Sequence, residues 1–343
     1  MKFASDNAHG AHPAIMQALV DCNDGAVGSY GADPVTARAE AAYREVLDAP
    51  DAVVRFVATG TAANALVCAQ LSPSYGRIYC HQTAHIHLDE CAAPEFFSHG
   101  AKLVPIAGEQ GRIAPADLAQ AIRIGAAGGL NDGANAMVSI TNATEWGTCY
   151  TPGDVADIAQ VAHEAGLPVH MDGARLANAV AGLGCALPDL LRGVDALSFG
   201  GTKNGALAAE AVVFFDPAHA KGFDYRRKQS GHVFSKQRYL AAQMLALLQD
   251  DLWLRLAGHA NACATRLGLG VQQVGGSLIA PVHANEVFAR IPFEAHERAR
   301  AHGATYHLWQ DSPPAKDQPV AVRLVTSWAT TDQDVAAFLD LMR

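Results

Sequence analysis

The chain has no basic run, and its formal net charge of −9 leaves little with which to grip a nucleic-acid backbone. No apolar stretch approaches the roughly 18 residues of a membrane-spanning helix, and the opening, MKFASDNAHG, lacks the apolar core of a secretion signal. Seven cysteines, at 22, 68, 80, 91, 149, 185 and 263, form no CxxC pair. An odd, scattered set fits reduced thiols in the cytosol, not a disulfide framework. Repeats and low-complexity segments are absent too. Charged residues make up only 17% and hydrophobic ones 50%, which excludes wholesale disorder and provides ample core. At 343 residues, one large domain with a smaller companion is expected in a soluble cytoplasmic protein.

From residue 53 onward, short apolar runs alternate with helical stretches. AVVRFVAT (52–59), RIYC (77–80), AMVSIT (136–141), LPVHMD (167–172) and VDALSF (194–199) read as strands. AANALVCAQL (62–71) reads as a helix starting just after TGT, and VADIAQVAHEAG carries Val155, Ile158, Ala159 and Ala162 on one face before Gly166. Continuous apolar strands separated by helices predict a parallel sheet covered on both faces. EAVVFF (210–215) follows too closely for a crossover and is expected to pair antiparallel. After about residue 235 a long helical stretch leads into NEVFARI and VRLVTSWA, two strands with a helix between, with DSPPAKDQP (311–319) as a loop. The expected division is an N-terminal segment (1–20), a large domain (21–238) and a small α+β domain (239–343).

In an open parallel sheet, ligands bind beyond the carboxyl ends of the strands. The residues found there are Thr59 to Thr61, His81 to His87, Thr141 to Glu145, Asp172 to Arg175 and Gly200 to Asn204. TGTAAN offers small residues and hydroxyls at a helix N-terminus, where free N–H groups and the helix dipole favour a phosphate, although Thr61 also suits an N-cap. Asp172 ends a strand before a glycine. Lys203 stands in SFGGTKNGA, close to the sheet, with no carboxylate in the segment. A phosphate cradle, a carboxylate and a lysine at successive strand ends describe a pyridoxal phosphate site: the lysine anchors the cofactor aldehyde, and the carboxylate keeps the pyridine nitrogen protonated.

ASDN, YGADPVT, TGTAANAL, AHIHLDECAAPEFFSHGAKL, HMDGARLANA, SFGGTKNGA and VRLVTSW, in this order over nearly the whole length, resemble the threonine aldolases. The resemblance implies fold-type I architecture, with a mostly parallel seven-stranded sheet, and reversible cleavage of β-hydroxy-α-amino acids to glycine and an aldehyde. It further implies Lys203 as the Schiff-base lysine, Asp172 as the pyridinium partner, Gly60, Thr61 and Arg227 at the phosphate, and His85 stacked on the ring. Ser5, Arg175 and Arg323 would surround the substrate carboxylate, with Arg175 also touching cofactor and Tyr30 near the site. Active sites would lie at a dimer interface within a homotetramer. A related branch has an Asn-x-His-Asn motif after the fourth strand. Here TNATEWG has Thr144 and Glu145 instead, which leaves the base on the substrate hydroxyl open between His85, Glu145 and a water.

Three rivals follow from the same residues. CHQTAHIHLDEC groups Cys80, His81, His85, His87, Asp89, Glu90 and Cys91. His85 and His87 would share a face on a strand, as a zinc pair in a metallohydrolase does, but Asp172 and Lys203 would then have no task. A catalytically silent pyridoxal-binding protein is the second. A phenylserine-type aldolase or β-eliminating amino-acid lyase is the third.

Overall fold

The computed structural model describes residues 1–309, 316 and 318–343. Strands β1 (Val53–Val57), β2 (Gly76–His81), β3 (Lys102–Ile106), β4 (Ala134–Thr141), β5 (Val169–Gly173), β6 (Ala196–Gly200) and β7 (Glu210–Phe214) form one sheet. Its order is β1-β7-β6-β5-β4-β2-β3, with β7 antiparallel to both neighbours and the other pairs parallel. The antiparallel pairing expected for EAVVFF is what β7 makes.

Both sheet faces are covered, because alternate residues of single strands enter different cores. Val138 and Ile140 join the main cluster with Phe199 and Trp253, while Met137 packs with Ile78, Cys80 and Ile86. Val212 and Phe214 pack instead with Ala63 and Leu66 of the helix Gly60–Leu71. The pattern explains why β5, β6 and β7 read as unbroken apolar runs. β3 had no clear signature: KLVPI includes an exposed lysine and a proline, which only an edge strand tolerates well.

The second sheet contains β8 (Ser277–Leu278), β9 (Glu286–Ile291), β10 (His307–Leu308) and β11 (Val320–Val325), all antiparallel in the order β10-β11-β9-β8. The helices Phe293–Ala301 and Asp332–Met342 cover it, with Ala295, Ala299, Val335 and Phe338 in its core. The loop expected over 311–319 lies largely outside the described residues.

The long helical stretch after residue 235 is two helices, Arg238–Leu248 and Leu252–Gln273, parted at Asp250 and Asp251. Both aspartates have positive φ, 49° and 53°, a region that Asp enters more readily than apolar residues do. Leu240, Met244 and Leu247 of the first helix, and Trp253 and Leu256 of the second, belong to the large core. Cys263, Leu267 and Val271 belong to the small one, which Phe3 also enters, 5.3 Å from the Phe338 ring. A division after residue 238 thus falls at the first residue of a helix packed on the large core, and Phe3 lies in the small core. Among the described residues no helix is long and apolar enough to cross a membrane.

Candidate active site

β1, β2, β4, β5 and β6 end on the same edge of the sheet, and the reversed β7 begins there. A cavity of about 710 Å³ opens at this edge. Gly60, Thr61, His85, Asp172, Arg175 and Lys203, expected from separate motifs, all line it.

Thr59, not Thr61, caps the helix Gly60–Leu71, its hydroxyl accepting from the Ala62 N–H at 3.1 Å. Thr61 is thereby left free of the capping task. A side chain at Gly60 would meet nothing within 4 Å, so the space over this helix start is open. Lys203 sits in the turn Thr202–Asn204 after β6. The turn leaves the sheet through Gly200 and Gly201, where an added Cβ would come within 2.5 Å of the Ala174 and Ala209 carbonyl oxygens. No larger residue fits that approach. Behind the turn, the Glu210 carboxylate accepts from the Gly201 N–H at 2.6 Å. Burial pushes Glu210 up to about 7, against the pull of that bond and of the Lys203 charge. The Lys203 amine itself has no hydrogen bond or ion pair with another described residue.

Asp172 is buried at the end of β5. Its Oδ1 accepts from the Ala174 N–H at 2.9 Å and its Oδ2 from Asn64 Nδ2 at 2.8 Å. The same Asn64 nitrogen donates to Glu90 Oε1 at 2.8 Å, and Glu90 Oε1 also lies 2.8 Å from His85 Nδ1. The bond to Glu90 raises the His85 imidazole above its ordinary value in spite of burial. Glu145 accepts from the His85 N–H at 2.7 Å and the Thr141 hydroxyl at 3.0 Å through Oε1. Burial, reinforced by the Asp172 charge, pushes Glu145 up to about 7.

His85 does not lie on a strand. It begins the single helical turn His85–Leu88, so His87 points away from it, and no group of three metal-ligating side chains occurs among the described residues. The strand geometry supposed for a zinc pair is therefore corrected: Ala84 to Leu88 close a helical turn through His87 N–H to Ala84 O at 2.9 Å.

Four expected residues stand outside the cavity lining. Ser5 caps the turn Asp6–Ala8, accepting from the Asn7 N–H, while Asn7 and His9 reach the cavity. Arg323 lies on β11, its Nε buried without a partner among the described residues and its guanidinium 6.0 Å from the Trp309 ring centre. Tyr30 and Arg227 line a second cavity of about 660 Å³. Arg227 is buried there against Asp224 at 2.6 Å and the Phe56 carbonyl at 3.2 Å, its Nε without a partner among the described residues.

Sequence reasoning passed over Asn64, Glu210, Asp6 and Glu286. Asn64 left a trace, as an amide in the otherwise apolar helix run AANALV. Arg175 is gripped from both sides, by Asp6 and by Glu286, whose Oε2 is 3.3 Å from Nη1.

A strand order of this kind, with a lysine turn after β6 and a buried carboxylate ending β5, defines a fold-type I pyridoxal phosphate enzyme. The family model described as "Beta-eliminating lyase" matches residues 2–293. The low specificity L-threonine aldolase of Pseudomonas aeruginosa is 42% identical, covering 100% of this chain and 96% of that protein. Its counterpart from another Pseudomonas species is 40% identical over 97% and 94%. The solved structure of Leishmania major threonine aldolase superposes with a TM-score of 0.93 at 29% identity, covering 99% of this chain and 98% of that one. The chain belongs to the β-eliminating lyase family, in its threonine aldolase branch.

Proposed function

We propose that the protein is a pyridoxal phosphate-dependent carbon–carbon lyase that cleaves L-threonine and L-allo-threonine reversibly to glycine and an aldehyde. The observation that carries this reading is the meeting of Lys203, Asp172 and the open helix start at Gly60 in one cavity. These residues fit the cofactor: an amine with no hydrogen bond or ion pair among the described residues, a buried carboxylate held by two donors, and a helix start with open space over Gly60.

Lys203 would hold the cofactor covalently, Asp172 its pyridine nitrogen, and Gly60 and Thr61 its phosphate at the positive end of the helix. When bound, pyridoxal phosphate supplies a sink for the electron pair released at Cα. We assign His85 to the ring face, and Arg175, Arg323 and Ser5 to the substrate carboxylate, which a guanidinium fork binds bidentately and so orients. Asp6 and Glu286 fix the Arg175 plane while leaving N–H groups unspent. A carboxylate held in that way would fix the orientation of Cα, and so which of its bonds the electron sink can weaken. The β-hydroxyl must lose its proton for Cα–Cβ to part, and Cα gains one to finish glycine.

Tyr30 and Arg227, outside the first cavity, we assign to the site of a second copy, Arg227 at its phosphate, within a cytoplasmic homotetramer with shared sites. We place the domain division inside the helix Leu252–Gln273, whose two halves serve different cores.

Borohydride reduction of the cofactor-loaded protein followed by peptide mapping tests the anchor, and glycine and aldehyde release from L-threonine, L-allo-threonine and phenylserine tests the reaction. Label on Lys203 and cleavage of the threonines are expected, with Lys203→Ala inactive. Label on another lysine, or no aldehyde from either threonine, would overturn the reading.

A further inference from the structure

We infer that Asn64 and Glu90 are positioning residues that join Asp172 and His85 into one hydrogen-bonded chain, so that the carboxylate and the imidazole are oriented together. The inference rests on the proposed function for what the two ends do, but the chain itself is a matter of geometry. One amide nitrogen, Asn64 Nδ2, lies 2.8 Å from Asp172 Oδ2 and 2.8 Å from Glu90 Oε1. An amide carries two hydrogens, so both bonds form at once. The opposite orientation would set the amide oxygen against two carboxylate oxygens, which fixes which atom is the nitrogen. Glu90 Oε1 then accepts a second bond, from His85 Nδ1–H at 2.8 Å, leaving Nε2 as the free ring nitrogen.

Packing does not explain this arrangement. Asn64 and Glu90 are both buried at the cavity wall, and Asn64 is flanked along its helix by Ala62, Ala63, Ala65 and Leu66. Among the described residues Asn64 Oδ1 and Glu90 Oε2 have no hydrogen-bond partner, so the chain is kept with two polar atoms unpaired. The groups facing His85 are Glu90, Asp172 and Lys203, with Glu145 bound to its backbone N–H. Of these, Glu90 is in direct contact with the ring.

Two measurements test the inference. The first is the His85 imidazole titration, followed by NMR in the cofactor-free full chain and assigned with His85→Phe. Glu90→Gln, which is isosteric, should move that titration to lower pH than in the wild type; an unchanged titration overturns the inference. The second is a double-mutant cycle on pyridoxal phosphate affinity, read from fluorescence quenching of the full chain. Asn64→Ala and Glu90→Gln should each weaken binding by about 2- to 12-fold, the size of one net hydrogen bond. Together they should cost clearly less than the product of the two. Multiplying effects would overturn the chain. If Asn64→Ala does not fold, the Glu90→Gln titration alone decides. Failure of the wild-type protein to bind pyridoxal phosphate would instead sink the proposed function, which the cofactor-free titration does not require.

Discussion

Asp6 and Arg175 are joined by two hydrogen bonds, Nε to Oδ2 at 2.7 Å and Nη2 to Oδ1 at 3.1 Å, across 169 positions of sequence. Asp6 Oδ2 also accepts from Asn285 Nδ2 at 3.0 Å, so one carboxylate joins Arg175, just after β5, to Asn285, just before β9.

Asp6→Asn should therefore act on stability and on substrate together. Its amide nitrogen would face at least one of the three N–H donors around Asp6, and removing one partner of a buried pair costs about 3–5 kcal/mol. Burial alone would raise Asp6, but the Arg175 and Lys203 charges outweigh it and hold the carboxyl below its usual range. A lowered carboxyl contributes stability above its unfolded value, near ~3.9, that is lost as pH falls through the folded one. The variant should melt lower at pH 6, lose less further stability below about pH 4, and show a raised KM for L-threonine. Equal acid sensitivity in both proteins would count against this.

Glu210 gives the opposite sign. With its folded value raised to about 7, it binds its proton more tightly folded than unfolded. That contribution is full below about pH 4.5 and disappears as pH rises toward 7. Glu210→Gln keeps an acceptor for the Gly201 N–H and removes the titration. Its melting temperature should fall less than that of the wild type between pH 5 and pH 8. Parallel curves for the two proteins would refute the assignment.

Arg323→Ala should raise the KM for amino acids about 10- to 150-fold, the loss of a charge-assisted contact worth on the order of 1.5–3 kcal/mol. Its Nε has no partner to lose among the described residues, so the melting point should hardly move. Unchanged kinetics with a lowered melting point would show a structural arginine.

His85→Phe keeps a flat face for stacking and discards the titratable nitrogen. It should retain the visible cofactor band and lose less than about tenfold in kcat, below the 10²–10⁴ typical of a lost general base. A thousandfold loss with cofactor still bound would make His85 the base on the β-hydroxyl. Glu145, on the wall of the same cavity and pushed up to about 7, would then be relieved of that task.

The sequence by itself determined the parallel sheet, the reversed β7 and the residues at the strand ends. A strand buried on both faces must be apolar throughout, and a ligand at its carboxyl end needs glycines and polar groups there; both requirements are local. Lys203, Asp172 and Gly60 were legible for that reason. Tertiary structure alone decided which of these residues touch. Asn64 reaches Glu90 across 26 positions and Asp172 across 108, because strand order places the starts and ends of distant segments side by side. No periodicity records that order. The same holds for Asp6 on Arg175, for Arg227 and Tyr30 in a cavity of their own, and for His85 on a helical turn. The break at Asp250 and Asp251 was equally hidden: the helices on either side of it pack on the same large core, and only the positive φ of the two aspartates turns the chain there.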